Sequence, residues 1–363
     1  MEFPHIEGLL ASLLGSPALL IVACCACLKL GAYVMNVLWS LCAGYLLHDG
    51  DFWTKLLPEN KAYWKGRVAW VTGASRGVGL SLCRLLAHRG CRLIMSCRTL
   101  EDLQTAKQDV IKFCASQGLQ KAQSDFLLLP FELNDLAGLD AVVKKAYAYT
   151  ADRNIDFLFN NAAIHCQGML VSYEVAEQVI TADLLSQIKL TKLLLPSMAA
   201  ARSGHIIFTN SFKSKIISCG HAPYSVAKAG LLTFADALSR DFKAKSMSIS
   251  VTSAVLGYVR TGEAFQTLGP SGQPLTDDVE YMNKYITNGL PPDYVAKMIL
   301  KAASNKLREC WIAKNAILVA LYLREYAPGI SSTLLDIRAE AYAVEVEEEI
   351  RELEEIAQRV RKN

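Results

Sequence analysis

Short runs of apolar and β-branched residues alternate with longer stretches of helical periodicity from about residue 66 onward. The runs are RVAWVTG, RLIMSC, FLLLPFEL, IDFLFNN, HIIFTNS, SISVTSAV and ECWIA. Strands separated by helices pair in parallel through right-handed crossovers, and helices on both faces of such a sheet bury every apolar run. The pattern predicts an α/β fold built on a doubly wound parallel sheet of about seven strands.

A different pattern occupies the beginning of the chain. Between Leu9 and Leu47 the only charged side chain is that of Lys29, which separates uncharged runs of 20 and 18 residues. A membrane-spanning helix needs about 20 apolar residues, so this segment is predicted to be a single-pass anchor. The preceding MEFPHIEG lacks the basic residues of a signal peptide, although a cleaved signal or a buried hairpin stays open as an alternative.

Basic residues follow this segment closely, whereas none precedes Leu9. They are Lys55, Lys61, Lys65 and Arg67. The positive-inside rule therefore places the main domain on the cytoplasmic side. We expect an anchor over residues 1–50, a linker over 51–65, the sheet domain over 66–315 and a charged helical extension over 316–363.

Composition narrows the possible classes of protein. With 38 basic and 35 acidic residues the net charge is only +3, which offers no strong field for nucleic acid, and no nucleic-acid partner is expected. The hydrophobic fraction of 52% excludes a disordered chain. The 11 cysteines are scattered, and the C-x-x-C of Cys24 and Cys27 has no companion pair at ligand spacing, so we expect reduced thiols and no metal site.

The first predicted strand runs directly into the glycine-rich loop TGASRGVG, and a helix follows at once. Gly73 permits a tight turn, Gly77 lets backbone N–H groups approach a pyrophosphate, and Gly79 lets the helix pack closely. The helix N-terminus favours an anion, so the loop is interpreted as a nucleotide cradle, with a structural turn as the alternative. The loop residues assigned to the cofactor are Thr72, Gly73, Ser75, Arg76, Gly77, Val78 and Gly79.

The second strand ends at Ser96-Cys97-Arg98 without the acidic residue that usually binds a ribose 2′-hydroxyl. Arg76 and Arg98 have guanidinium groups that match phosphate oxygens, so together they predict a clamp for a 2′-phosphate. This favours NADP(H) over NAD(H), with two solvated surface arginines as the alternative.

Three side chains farther along the chain suggest proton transfer. Tyr224 and Lys228 lie four residues apart in YSVAK, and on a helix they share a face, so the ammonium is expected to lower the phenol's pKa from its ordinary value near 10. Ser211 closes the preceding strand, where its hydroxyl can hold a substrate oxygen within reach. A lone Y-x-x-x-K pattern is weak evidence for a proton-transfer site, and its occurrence together with the glycine loop is stronger evidence.

The order and spacing of these motifs resemble the short-chain dehydrogenase/reductases. The matching elements are TGASRGVG, NNAA at residues 160–163, Ser211, YSVAK and a terminal Gly257-Tyr258-Val259-Arg260-Thr261. The resemblance covers about Gly66 to Ala313 and implies a Rossmann fold with strand order 3-2-1-4-5-6-7. The two ends of the chain resemble the membrane-bound subgroup around family member seven, which acts on retinoids, steroids and other apolar carbonyls.

The resemblance also implies roles for particular residues. It makes Tyr224 the acid or base, Lys228 its tuning partner and a ribose ligand, and Ser211 the holder of the substrate oxygen. Asp183 stands where the family has an asparagine, and its carboxylate is expected to raise the pKa of Lys228. Further cofactor contacts fall on Glu132, Leu133, Asn161, Ala162, Val259 and Thr261.

Together these features predict a membrane-anchored, NADP(H)-dependent oxidoreductase that interconverts a carbonyl and an alcohol on a lipophilic small molecule. An endoplasmic reticulum membrane location and a homodimer are what the resemblance implies. A long-chain keto-lipid reductase, of the ketosphinganine type, is the alternative within the enzyme class. Because Asp183, Ala163 and Leu256 depart from the family pattern, a cofactor-binding scaffold or sensor is the alternative of another class.

Overall fold

The computed structural model describes residues 21, 24–31, 34, 35, 52–151, 154–168, 171–261, 267–272 and 289–343. Nine strands lie in this part of the chain: β1 (Val68–Thr72), β2 (Arg92–Ser96), β3 (Phe126–Leu128), β4 (Phe157–Asn160), β5 (His165–Cys166), β6 (Gly204–Ser211), β7 (Ile249–Leu256), β8 (Thr267–Leu268) and β9 (Glu309–Ile312). Seven of them form one parallel sheet in the order β3-β2-β1-β4-β6-β7-β9. The predicted seven-stranded order is confirmed. The short β5 and β8 pair with each other in a separate two-stranded sheet.

The helices in the same part of the chain connect these strands. They are α1 (Phe52–Leu56), α2 (Gly77–His88), α3 (Leu100–Ser116), α4 (Leu139–Thr150), α5 (Tyr173–Ile180), α6 (Ser186–Ala200), α7 (Ala222–Ala244), α8 (Pro292–Ser304), α9 (Asn315–Tyr326) and α10 (Pro328–Ala343). Residues Thr181–Leu185, between α5 and α6, form a π-helical turn. Such turns are rare and occur frequently at functional sites.

Both faces of the sheet are buried, which explains why its strands consist of continuous apolar runs. Successive side chains of β1 alternate between the faces. Ala69 and Val71 pack into one core with α2, α3 and α8, whereas Val68 and Trp70 pack into the other with α4, α6 and α7. This sandwich fixes the carboxyl ends of the strands, where the site is built.

The segment assigned to a linker packs against the domain. Trp64 is fully buried, and Arg89, the residue after α2, forms a buried ion pair with Glu59. The Lys301 ammonium of α8 donates to the backbone carbonyl of Lys55. The domain boundaries stay predictions. Residues 54–64 belong to the predicted linker, but in the structure they pack against the sheet domain.

Most of the predicted anchor lies outside the described residues. The parts that are described, residues 21, 24–31, 34 and 35, are helical. Within the described ranges, none of the helices combines the length and apolarity that crossing a bilayer requires. The anchor therefore stays a prediction.

The carboxyl-terminal extension is helical as far as the structure describes it. Leu318 and Leu321 of α9 are buried in a small core with Val255 at the end of β7, and Leu335 of α10 packs against the same core. The apolar run that precedes the charged tail thus docks on protein.

Candidate active site

A cavity of about 780 Å³ opens at the carboxyl edge of the sheet. Crevices at this edge are where ligands bind in open α/β sheets. Its walls include almost every residue that the sequence assigns to a site: Thr72, Gly73, Ser75, Arg76, Gly77, Val78, Arg98, Glu132, Leu133, Asn161, Ala162, Ser211, Tyr224, Lys228, Val259 and Thr261. Gly79 and Asp183 do not line the cavity: Gly79 lies against the backbone of Gly73, and Asp183 contacts Lys228.

The glycine loop has the geometry of a close backbone approach. Gly73 and Gly77 adopt positive φ angles of 65° and 55°, which side chains with a Cβ rarely tolerate. A Cβ at Gly79 would lie 1.9 Å from the carbonyl oxygen of Gly73, so only glycine allows α2 to start against β1. A Cβ at Gly77 would lie 3.0 Å from Cγ2 of Thr261. The loop thus keeps clear the space that a bound phosphate needs.

The first turn of α2 presents its N–H groups without a capping side chain. Arg76 is the N-cap residue, has extended backbone, and makes no side-chain capping bond; the first turn contains no acidic residue. Uncapped N–H groups at a helix N-terminus bind anions, and the helix dipole adds to the attraction. Arg76 and Arg98 are exposed and line the cavity, and they follow the neighbouring parallel strands β1 and β2, whose last residues Thr72 and Ser96 are paired. These features fit a dinucleotide whose 2′-phosphate lies near the two guanidinium groups.

A network of hydrogen bonds fixes the loop after β4 to the end of β1. The Thr72 hydroxyl donates to the carbonyl of Phe159 and accepts from the backbone N–H groups of Asn161 and Ala162, each at 3.0 Å. The Asn161 side chain donates to the carbonyl of Thr72, also at 3.0 Å. The Asn161 amide therefore holds the end of β1 against the end of β4, and this contact shapes the cavity floor.

Tyr224, Lys228 and Ser211 meet at the centre of the cavity. Tyr224 and Lys228 lie on one face of α7, with the ammonium 5.5 Å from the centre of the phenol ring. Ser211 ends β6, and its hydroxyl makes a hydrogen bond that acts on the Tyr224 phenol. All three side chains are buried, and only 1% of Lys228 is exposed. The geometry brings together the three groups that the sequence selects for proton transfer.

The expected acidification of Tyr224 is wrong for this site. Burial raises the pKa of the phenol above its ordinary value, and the negative charge of Asp183 adds to this. Lys228 and the hydrogen bond with Ser211 act in the opposite direction without overcoming burial. Tyr224 is therefore protonated at neutral pH, which suits a group that gives a proton to a carbonyl oxygen.

Asp183 forms a buried ion pair with Lys228. Its Oδ2 lies 3.2 Å from Nζ, and its Oδ1 accepts a 2.7 Å hydrogen bond from the backbone N–H of Ile164. Burial raises the pKa of Asp183. Burial lowers the pKa of Lys228, but Asp183 and Tyr224 outweigh this, so the pKa of Lys228 is raised, as the sequence predicts. The π-helical turn carries Asp183 to this position.

Two histidines line the substrate side of the cavity. The His165 ring packs edge-on against Tyr224, with centroids 4.8 Å apart, and its Nδ1 lies 3.2 Å from the Thr267 hydroxyl. His221 Nδ1 lies 2.7 Å from the carbonyl oxygen of Cys219. Burial lowers the pKa of His165 well below its ordinary value and that of His221 to about 4. Both rings are neutral at physiological pH.

Sequence reasoning missed two parts of the cavity. Lys213, two residues beyond Ser211, lines it, and so does one side of α10 through Leu335, Arg338 and Ala339. The available signal for Lys213 is its position two residues after Ser211, whereas nothing in the sequence shows that α10 folds back. The resemblance also implies a substrate lid in the Gly- and Pro-rich loop from Glu263 to Pro292, and this loop lies largely outside the described residues.

The glycine loop, the uncapped helix and the three central side chains agree with the family comparison. A model of the short chain dehydrogenases matches residues 67–268. The chain belongs to the short-chain dehydrogenase family. This family consists of oxidoreductases, and it uses a Rossmann sheet of the type described above.

Individual relatives show which members of the family this chain resembles. The chain is 29% identical over 276 residues to a dehydrogenase/reductase SDR family protein 7-like of Drosophila melanogaster, covering 76% of this chain and 81% of the relative. It is 30% identical to the ketoacyl reductase HetN of a Nostoc species, covering 75% and 87%. Within the family it resembles the member 7 group.

Solved structures share the fold at lower identity. A metagenomic short-chain oxidoreductase in complex with NADP superimposes with a TM-score of 0.53 at 20% identity, covering 69% of this chain and 98% of that one. At this identity the likeness shows the common fold.

Proposed function

We propose that this short-chain dehydrogenase is a membrane-anchored, NADP(H)-dependent oxidoreductase that interconverts a carbonyl and an alcohol on a lipophilic substrate. The observation that carries the proposal is the convergence of Tyr224, Lys228 and Ser211 beside the glycine loop in one cavity. Bound NADPH supplies the hydride for reduction. The chain's own residues orient the carbonyl and provide the proton.

Ser211 and Tyr224 act on the substrate oxygen. The Ser211 hydroxyl donates a hydrogen bond that holds the oxygen at the phenol, and Tyr224 then transfers its proton to that oxygen. Because burial raises the pKa of Tyr224, the proton is present at physiological pH. In the reverse direction the same phenol, once deprotonated, removes the proton from an alcohol.

Lys228 stabilises the phenolate that remains after the transfer. Its ammonium faces the phenol ring, and Asp183 keeps the ammonium charged from the other side. The Asp183 carboxylate stands in place of a neutral amide, so it also raises the energy of a phenolate. Asp183 therefore favours the protonated form of the Tyr224 phenol, and with it carbonyl reduction over alcohol oxidation.

The preference for NADPH rests on Arg76 and Arg98. Both line the cavity, and the position after β2, where an acidic residue would favour a free 2′-hydroxyl, is occupied by Cys97 and Arg98. The structural relative with bound NADP supports the same choice of cofactor.

A lipophilic substrate is supported by the cavity wall and by the predicted anchor. Apolar side chains dominate the substrate side, among them Phe212, Ile216, Tyr258 and Leu335. An anchor over residues 1–50 holds the domain at a membrane, where apolar carbonyl compounds partition; the endoplasmic reticulum membrane and a homodimer belong to this proposal. Retinoids and steroids are the first substrates to test.

A long-chain keto-lipid is the second candidate substrate. The likeness to a ketoacyl reductase from Nostoc favours it, because that relative is named for a keto group on an acyl chain. The same residues perform the reduction in either case, so the two candidates differ only in substrate.

The deciding experiment follows NADPH oxidation by the full-length protein in detergent micelles. The panel contains retinals, ketosteroids, quinones and ketosphinganine, with NADH run in parallel. We expect turnover of at least one compound with NADPH. NADPH binding without consumption on any compound would favour the scaffold or sensor instead.

A further inference from the structure

Lys213 places a buried positive charge in the substrate half of the cavity. It follows Ser211 by two residues in a short 3₁₀ turn (Phe212–Ser214), and its backbone N–H donates a 3.2 Å hydrogen bond to the Ser211 hydroxyl. Its side chain lines the cavity and is only 7% exposed. The turn therefore fixes this lysine beside the group that holds the reacting oxygen.

The Lys213 ammonium has an uncharged hydrogen-bond partner. Nζ meets the hydroxyl of Ser218 and lies 5.2 Å from the centre of the Phe212 ring. Among the described residues no carboxylate lies within ion-pair distance of it. Lys215, two residues on, has two acidic partners in Glu309 and Glu325 and lies outside the cavity wall.

A second cation approaches from α10. Arg338 lines the same cavity, and its charge acts on Lys213 strongly enough to assist burial in lowering the pKa of that lysine to about 8. Lys213 in turn helps to keep His165 and His221 neutral. Arg338 is exposed and stays hydrated, but the buried Lys213 ammonium has no opposite charge beside it in the described part of the chain, which is unfavourable until an anion binds there.

We propose that the substrate carries an anionic group, a carboxylate or a phosphate, which binds between Lys213 and Arg338 while its carbonyl lies at Ser211 and Tyr224. The inference rests on the proposed function and deepens it from a lipophilic carbonyl to an anionic amphiphile. Since Lys213 adjoins Ser211 in the turn, the anion lies close to the carbonyl and the apolar chain extends away from both. Asp336 also lines the cavity, but within the described ranges it forms no ion pair with either cation.

The chemistry of the pair suits both kinds of anion. A guanidinium accepts carboxylate or phosphate oxygens in a two-point contact, and a lysine adds a compact charge. The Ser218 hydroxyl beside Nζ supplies a further donor. A neutral retinoid or steroid uses none of these three groups, which is why the anion discriminates between substrate classes.

The experiment compares matched pairs of substrates. One pair is 4-oxodecanoate and its methyl ester; the other is 2-oxodecyl phosphate and 1-hydroxy-2-decanone. Steady-state NADPH oxidation by the full-length protein in neutral detergent gives kcat and KM for each. We expect the anionic member of at least one pair to have a KM at least 10-fold lower than its neutral partner, and the pair that shows it identifies carboxylate or phosphate.

The variants assign that preference to the cation pair. Lys213→Met keeps the length of the side chain without its charge, and Arg338→Gln removes the second cation. Each is expected to raise the KM of the anionic compound at least 10-fold more than that of its neutral partner, whereas Lys213→Arg retains the preference. Lys215→Met is the matched control and should leave the ratio of the two KM values unchanged.

The outcomes separate this inference from the proposed function. Equal KM values within both pairs in the wild type, or equal effects of Lys213→Met on both members, would overturn the anion site while reduction itself still stood. If no compound is reduced, calorimetric titration of the NADPH-loaded protein with decanoate and decyl phosphate tests the site by itself. Binding of either that weakens at least 10-fold in Lys213→Met supports the inference, and unchanged binding or none overturns it.

Discussion

Asp183 and Lys228 form an ion pair 3.2 Å long in which the carboxylate is wholly buried and only 2% of the lysine side chain is exposed. The carboxylate is held from its other side by the backbone of Ile164, which belongs to the loop after β4. The pair therefore links the charge that faces Tyr224 to a segment that lines the cavity. The Asp183 carboxylate raises the pKa of Lys228, and it adds to the rise that burial causes in the pKa of Tyr224.

Replacement of Asp183 by Asn tests this link. The amide keeps the shape but removes the charge, so the pKa of Lys228 and that of Tyr224 should both fall. Carbonyl reduction needs a protonated phenol and a charged lysine, and its alkaline limit should move down by at least about one pH unit. The pH profile of kcat measures this. An alkaline limit that stays in place would contradict the role of Asp183, and NADPH affinity serves as the control for folding.

Tyr224→Phe should remove the proton donor with little change in packing. We expect kcat for reduction to fall by about 10²–10⁴-fold, the usual contribution of a positioned acid, while the Kd for NADPH stays within a factor of two or so. Tyr173→Phe, at a phenol on α5 that is 73% exposed, is the matched control. Retention of most of the activity in Tyr224→Phe would exclude the phenol as the donor.

Arg76 and Arg98 should determine the choice of cofactor. Replacing both with Gln is expected to raise the Kd for NADPH by at least about 10-fold and to leave that for NADH nearly unchanged, because only NADPH carries the 2′-phosphate. Fluorescence titration of each cofactor measures this. Arg240→Gln, at an exposed arginine paired with Asp236 on α7, is the control. A similar loss for both cofactors would mean that the arginines bind something common to the two.

Gly79→Ala should separate α2 from β1. The added Cβ meets the Gly73 carbonyl at 1.9 Å, which backbone cannot accommodate without moving. We expect a loss of about 1–3 kcal/mol in the free energy of unfolding and a loss of NADPH binding. Gly329→Ala, where nothing lies within 4 Å, should leave both unchanged. Thermal unfolding with and without NADPH measures the two effects, and an unchanged Tm in Gly79→Ala would contradict the close contact.

His205 should make the folded state sensitive to acid. Its ring lies between the Tyr63 hydroxyl, at 3.1 Å, and the Thr252 hydroxyl, at 2.9 Å, and burial lowers its pKa to about 3. The unfolded chain binds a proton near pH 6.5 and the folded one does not, so stability is complete above that value and falls as the pH drops toward 3.

Chemical unfolding of the solubilised protein between pH 7 and 4 measures this dependence. The decline should reach about 1.4 kcal/mol per pH unit for each such histidine, and His205→Gln should remove its share of the slope. His88→Gln, at an exposed histidine near the end of α2, is the control. An identical slope in wild type and His205→Gln would show that this ring does not carry the effect.

Local patterns were sufficient for the sheet and for much of the site. The apolar runs fix where the strands lie, since each strand is buried on both faces, whereas their order in the sheet was implied by the resemblance to the short-chain dehydrogenase/reductases. The glycine loop and the helical spacing of Tyr224 and Lys228 are also local, because each depends on neighbouring residues within one turn or one helix. These features follow directly from the chain.

Only the tertiary structure decided the electrostatics of the site and the composition of its substrate half. The phenol's pKa depends on how completely Tyr224 is buried and on Asp183, which lies 41 positions earlier in the chain. Likewise, the charge of Arg338 acts on Lys213 only because α10 lines the same cavity. Burial and long-range charge are properties of the assembled core, and no periodicity along the sequence encodes them.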